Sequence, residues 1–109
     1  MIKIIINKNQ STGRINSFEM TGHADFAEHG KDLVCAGASA VSFGAVNAII
    51  ALTGNTPEIL QGSDGGYLKV IFPESEKNDH DTQLIVKAMI VSLQTIENDY
   101  GQHIKIILK

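Results

Sequence analysis

The first 21 residues contain two short apolar segments separated by a turn. Residues 2–7 are rich in β-branched isoleucine, which predicts a strand buried on both faces. Residues 9–13 are Asn-Gln-Ser-Thr-Gly, a composition typical of turns. Residues 14–21 end in an alternation of polar and apolar side chains that indicates a half-buried strand. The two strands are therefore expected to form a hairpin that ends at Gly22.

Two longer segments have apolar residues at helical spacing. Residues 36–53 are mostly small and apolar, and Gly54 follows at the position of a C-terminal cap, which predicts a buried helix. A second helix with a wide apolar face is expected to be capped by Asn78 or Asp79 and to end at Gly101.

Three further strands complete the predicted fold. Residues 56–61 and 67–72 favour strands joined by the glycine-rich segment 62–66, and residues 103–108 favour a last strand. The order ββαββαβ predicts an α+β domain with a mixed, mainly antiparallel sheet and two covering helices. Its exposed edge strands and the apolar face of the second helix lead us to expect a homodimer.

The composition is that of one ordinary globular domain. The chain has 109 residues, of which 43% are hydrophobic and 19% charged, so we predict a single domain over residues 1–109. The only cysteine, Cys35, permits no internal disulfide, which favours a reducing, cytoplasmic setting.

Charge and hydropathy restrict the partners. The net charge is −3 and no cluster of lysine or arginine is present, which argues against direct binding of nucleic acid. The apolar run at residues 1–6 is too short for a signal peptide or a membrane-spanning helix. We therefore expect a cytoplasmic protein without a membrane partner.

Candidate chemistry is concentrated around the cysteine. Residues 22–34 include two glycines and several ionisable side chains, which predicts an exposed, mobile loop. Cys35 lies where this loop meets the first helix, and unpaired N–H groups at a helix start favour a thiolate. His23 can take the thiol proton, so the pair is a candidate nucleophile and base. The alternatives are a buried cysteine that only fills space and a solvated loop histidine.

Two polar neighbours are candidate supporting residues. Asp32 can orient His23, cap the helix or bind a substrate amide, and the sequence does not separate these roles. Ser39, one turn beyond Cys35, can hydrogen-bond toward the sulfur or a substrate carbonyl, or only to its local backbone.

Small side chains follow the cysteine at the predicted helix start. They leave nearby backbone N–H groups uncovered, so that an oxyanion could approach them. Close packing of the helix would select the same residues, which are Ala36, Gly37 and Ala38.

A metal site is the weaker interpretation of this segment. Five candidate ligands lie within thirteen positions, namely His23, Asp25, His29, Asp32 and Cys35. The chain has no second cysteine and no two histidines four residues apart, whereas structural zinc needs four well-placed ligands. We therefore expect neither a metal nor another cofactor.

Two segments together form a bipartite pattern. The first is Thr21-Gly22-His23-Ala24, and the second, at residues 32–40, is Asp-Leu-Val-Cys-Ala-Gly-Ala-Ser-Ala. The pattern resembles the motif of the ribosomal-processing cysteine protease Prp family, to which the chain is also similar in size and element order. Ala38 is smaller than the branched residue expected at that motif position, which leaves the cysteine and histidine intact.

The resemblance implies a cysteine endopeptidase that removes the N-terminal extension of the large-subunit ribosomal protein numbered twenty-seven. It assigns Cys35 as nucleophile and His23 as general base, and it places Gly22, Asp32 and Ser39 at the family's other motif positions. It also implies a homodimer, a flexible segment between the histidine and the cysteine, and an aromatic pair before the scissile bond.

Two other classes of function are compatible with a lone cysteine in a small domain. One is a noncatalytic module that binds a ribosomal-protein tail, which would keep all its activity without the Cys35 thiol. The other is a redox or acyl-transfer protein, which would form a disulfide or acyl adduct at Cys35 and cut no peptide bond.

Overall fold

The computed structural model describes residues 1–28, 30–63, 65–74 and 77–109. Seven elements follow one another in the predicted order ββαββαβ: β1 (Ile2–Lys8), β2 (Ile15–Thr21), α1 (Leu33–Thr53), β3 (Glu58–Gln61), β4 (Tyr67–Ile71), α2 (Asp79–Tyr100) and β5 (Ile104–Leu108). The predicted fold class is therefore confirmed. The glycine-rich segment predicted to join β3 and β4 includes Asp64, which lies outside the described residues.

The five strands form one sheet in the order β3-β4-β2-β1-β5. Neighbouring strands are antiparallel except β1 and β5, which pair in parallel with Ile4 opposite Ile106. The predicted hairpin of β1 and β2 is present and places Ile4 opposite Met20. Because β2 also pairs with β4, Met20 lies opposite Leu68 on its other side. A continuous apolar row thus crosses the middle of the sheet.

The buried residues of the strands and both helices form a single core cluster. In β1, Ile2, Ile4 and Ile6 are buried, whereas Lys3 is exposed and Ile5 is half-buried. The prediction that β1 is buried on both faces is therefore wrong. Side chains alternate across a strand, and the helix layer covers only the face on which the three buried isoleucines lie.

Helix α1 begins at Leu33, three residues before the predicted start at residue 36. It ends as predicted, because Gly54 adopts a left-handed φ of 77° and donates its N–H to the carbonyl of Ile50. The earlier start places Cys35 inside the first turn of the helix, and the loop that precedes it is correspondingly shorter than expected.

Helix α2 begins at Asp79 as expected, but Asn78 does not cap it with its side chain. Asn78 has a φ of 62°, and its Nδ2 donates to the carbonyl of Thr53 at 3.0 Å. The amide therefore ties the start of α2 to the end of α1.

Among the described residues, α1 is the one helix long and apolar enough to cross a membrane by length and composition. Its buried residues Val34, Ala38, Val46 and Ile49 belong to the core of this domain. Packing in that core accounts for the inner face of α1, but only 28% of its apolar window is buried within the domain.

Candidate active site

Cys35 lies in the first turn of α1, and its sulfur is held by a backbone contact from the preceding loop. The N–H of Ala24 donates to Cys35 Sγ at 3.2 Å. The residue is half-buried and makes contact with the edge of the core. The sulfur is thus reachable from one side and bonded to a polar donor on another, which a cysteine that only fills space does not require.

Asp32 is the N-terminal cap of α1 and also holds the preceding loop. Its Oδ1 accepts the N–H groups of Val34 and Cys35, both at 3.0 Å. Its Oδ2 accepts the N–H groups of Phe26 and Ala27 at 2.9 and 3.3 Å. Of the three roles left open by the sequence, capping is the one that the structure shows.

The electrostatics of Asp32 follow from these four contacts. Removal from water raises the pKa of the Asp32 carboxyl, but the hydrogen bonds from the four backbone N–H groups lower it by more. The net result is a pKa below the ordinary value, so the carboxylate is ionised at neutral pH. A negative charge at this position is also favoured by the dipole of α1.

The backbone N–H groups after the cap are already used. The N–H of Cys35 is bonded to Asp32 Oδ1, and that of Ala36 donates to the carbonyl of Asp32 at 3.0 Å. The expectation that these groups are open to an oxyanion is therefore wrong for this structure. Helix α1 starts one turn earlier than the sequence indicated, so they lie within its capped first turn.

His23 follows β2 at a sharp change of backbone direction. Gly22 has a φ of 87°, and a Cβ at that residue would overlap the carbonyl oxygen of Met1. Only glycine fits this close approach without displacing the first strand. The turn brings His23 to the wall of the same cavity that Cys35 lines.

This cavity has a volume of about 860 Å³. Its lining comes from α1, from residues 61–63 and 65–68, and from Met20 of β2. Of the sequence-predicted site residues, six line it: Gly22, His23, Asp32, Cys35, Ala36 and Ser39. Gly37 does not, because it faces α2, where a Cβ would meet Ile96 Cδ1 at 3.5 Å.

Some cavity residues were not predicted from the sequence. Phe43 lies two turns along α1 from Cys35 and is partly exposed, and residues 61–63 and 65–68 also line the cavity. The helical spacing of Cys35, Ser39 and Phe43 was a usable signal for Phe43. No comparable pattern predicts that the β3–β4 connection lies near Cys35, because this proximity depends on the order of strands in the sheet.

The structure also bears on the metal interpretation. Among the described residues, no group of three or more histidine, cysteine, aspartate or glutamate side chains could hold a metal ion. His29, one of the five candidate ligands, lies outside the described residues.

The chain is similar to known cysteine proteases over nearly its whole length. Residues 1–105 match the family model described as cysteine protease Prp. The ribosomal processing cysteine protease Prp of Bacillus subtilis (strain 168) is 53% identical over 108 residues, which cover 97% of this chain and 96% of that protein. The protein of the same name from Staphylococcus aureus (strain Mu50) is 45% identical over the whole of both chains.

Solved structures agree with these relatives. The crystal structure of the S. aureus ribosomal processing protease Prp with a covalently linked product peptide covers 100% of both chains, with a TM-score of 0.92 and 44% identity. The same protease with a substrate peptide gives a TM-score of 0.86. The chain is therefore a cysteine protease. It belongs to the cysteine protease Prp family.

Proposed function

We propose that this protease removes the N-terminal extension of the large-subunit ribosomal protein numbered twenty-seven during ribosome maturation. The relatives are named ribosomal processing proteases, and the family resemblance implies this substrate. The observation that supports the proposal most directly is the position of the Cys35 sulfur. It receives the Ala24 N–H at a helix start and shares a cavity with His23.

The proposed reaction uses a cysteine and histidine pair. Cys35 Sγ attacks the scissile carbonyl carbon, and His23 takes the thiol proton and returns it to the leaving amine. Water then attacks the thioester with His23 as base, which releases the second product and restores the thiol. The remaining roles are structural: Asp32 holds the loop and the helix start together, and Gly22 permits the turn that presents His23.

The cavity suits an extended peptide with apolar side chains beside the scissile bond. Met20, Leu68 and Phe43 are apolar lining residues, and all four residues of the edge strand β3 are exposed. Gln61, the last residue of β3, also lines the cavity, so a peptide added beside this edge would lead toward Cys35. Main-chain hydrogen bonds would then supply affinity, and the cavity would select side chains.

The experiment that tests the function is cleavage of a synthetic tail peptide followed by mass spectrometry. Two product masses that sum to the substrate plus water show peptide-bond hydrolysis. An unchanged peptide bound to the protein indicates the noncatalytic alternative. A Cys35 disulfide or acyl adduct without cleavage indicates the redox or acyl-transfer alternative.

Phe43 supplies a test of the apolar wall. Replacing it by Ala removes apolar contact area from the cavity, so we expect KM for the tail peptide to rise about tenfold. The change in kcat should be smaller, because Phe43 lies two turns from Cys35. Leu84→Ala on α2 is the matched control, since Leu84 is 60% exposed and does not line the cavity. Equal KM values for the two variants would contradict this role for Phe43.

We also propose a cytoplasmic homodimer in which α1 is the contact element. Residues 33–53 include no charged side chain, yet only 28% of the apolar window of α1 is buried within the domain. Outside the cavity, the exposed residues of α1 include Ala40, Asn47 and Ile50. An uncharged face of this length is typical of a surface covered by a partner. Two copies of this face can pack against each other without repulsion between like charges.

The dimer proposal predicts the effect of a charge on that face. Ile50→Glu should produce a monomer in analytical ultracentrifugation, because a buried unpaired carboxylate is costly. Leu52→Glu is the control: Leu52 is also on α1 and 77% exposed, but it lies on a different side of the helix from Ile50. If the wild-type protein sediments as a monomer, or both variants as dimers, α1 is not the interface.

A further inference from the structure

Ala24, the residue after His23, is held at both of its backbone polar groups. Its N–H donates to Cys35 Sγ at 3.2 Å, and its carbonyl oxygen lies 3.0 Å from Nδ1 of His103. A carbonyl oxygen only accepts hydrogen bonds, so His103 Nδ1 carries the proton and donates it. The methyl group of Ala24 is buried at 1% exposure, which leaves this residue little freedom.

We infer that His103 is a positioning residue for the protease, which acts by holding Ala24 so that its N–H is directed at the Cys35 sulfur. The inference rests on the proposed function, because it takes Cys35 as the nucleophile. Neither the sequence pattern nor the family motif includes His103, which is 68 residues from Cys35 in the chain.

His103 is suited to this role because its own backbone is fixed to the sheet. Its N–H donates to the carbonyl of Tyr100 at 2.8 Å, and its carbonyl accepts the N–H of Ile2 at 2.9 Å. The next residue, Ile104, is fully buried in β5. The imidazole therefore extends from a rigid point where α2 ends and the sheet begins.

The imidazole ring is also held from the side. The Phe26 ring lies edge-on to His103, with centroids 5.3 Å apart and planes at 89°. Phe26 makes the same kind of contact with Tyr100, at 5.4 Å and 86°. Such edge-to-face pairs stabilise a defined ring orientation. The loop thus contacts His103 twice, through the Ala24 carbonyl and the Phe26 ring.

The loop needs such contacts because its described residues between β2 and α1, 22–28 and 30–32, form no helix or strand. Asp25 adopts a φ of 55°, a left-handed conformation that is uncommon for residues other than glycine. Asp32 holds the loop at Phe26 and Ala27, which follow Asp25. His103 holds it at Ala24, which precedes Asp25 and adjoins His23. The two anchors lie on opposite sides of Asp25, so Asp32 does not replace His103.

An isosteric pair of substitutions tests the hydrogen bond. In His103→Asn, the amide Nδ2 occupies the position of the imidazole Nδ1 and can donate to Ala24. In His103→Leu, a methyl group of the same shape occupies it and cannot. We expect kcat for tail-peptide cleavage to fall about fivefold in the Leu variant relative to the Asn variant, with a smaller change in KM. His80→Leu is the control, since His80 is exposed on α2 and does not line the active-site cavity.

A second measurement does not depend on cleavage. In ¹⁵N-labelled protein, the Ala24 amide should exchange with solvent faster in the Leu variant than in the Asn variant, and iodoacetamide should alkylate Cys35 at different rates in the two. If kcat, amide exchange and alkylation agree between the variants, the inference is wrong. A lower melting temperature of the Leu variant with unchanged kcat would also overturn it, because His103 would then act only in folding.

The two proposals fail in different ways. If the wild-type protein cuts no tail peptide, the proposed function is contradicted, while Ala24 amide exchange still decides whether His103 holds Ala24. If the wild-type protein cuts the peptide and the Asn and Leu variants cut it equally well, only the positioning role of His103 is lost.

Discussion

Replacing Cys35 by Ala should lower kcat/KM for tail-peptide cleavage by about 10⁴-fold or more, because it removes the thiol that we propose as the nucleophile. Peptide binding should change little, since Cys35 is one small part of a cavity of about 860 Å³. Mass spectrometry measures product formation, and a separate binding assay measures the affinity for the uncleaved peptide. Activity that survives in the Ala variant would show that the thiol is not the nucleophile.

His23→Gln should lower the same rate constant by about 10²-fold to 10⁴-fold, the usual contribution of general acid–base catalysis. Glutamine keeps a polar side chain at the cavity wall but cannot exchange a proton near neutral pH. His80→Gln is the matched control, because His80 is an exposed histidine outside this cavity. The Cys35 and His23 effects should not add in the double variant, since residues that act as one unit are non-additive. Additive losses would indicate that the two side chains work independently.

Local patterns were sufficient to predict the order of elements. The alternation in residues 14–21 and the helical spacing after Cys35 led to β2 and α1 with small errors at their ends. The predicted start of α1 was late because Leu33 and Val34 were assigned to the polar loop. The Asp32 side chain, bonded to the N–H groups of Val34 and Cys35, marks the true start. The sequence leaves capping as one of three roles for Asp32, and the predicted start at residue 36 does not use it.

Contacts between distant segments were not predictable in the same way. His103 meets Ala24 because β5 pairs in parallel with β1, and a parallel pairing has no local turn that reveals it. The wall formed by residues 61–63 and 65–68 depends on β4 pairing with β2. The family motif identified His23 and Cys35, but the residue that touches the sulfur, Ala24, contributes only its backbone. Ala24 lies within the motif, but nothing in one sequence shows that its N–H donates to the sulfur.

Asp32 joins the loop to the helix, and substitutions can distinguish the roles of its two carboxylate oxygens. Asparagine can still cap α1 through its carbonyl oxygen, but its NH₂ group donates and cannot accept the N–H groups of Phe26 and Ala27. Asp32→Asn should therefore keep the helix start and release the loop, with kcat/KM lower by about tenfold. Asp32→Ala removes both sets of contacts and should also lower the melting temperature by about 5 °C. If the Asp32→Asn variant has the same kcat/KM as wild type, the loop contacts of Oδ2 are not needed for catalysis.

The same carboxylate makes stability depend on pH with a defined sign. The pKa of Asp32 in the folded protein is below its ordinary value of 3.8, so the unfolded chain binds the proton more readily. The stabilisation is fully present above pH 3.8, and it is lost as the pH falls through the lower pKa of the folded protein. The difference in melting temperature between wild type and Asp32→Asn should therefore be constant at neutral pH and shrink below about pH 4. A difference that persists unchanged to pH 2 would mean that the charge of Asp32 does not stabilise the loop.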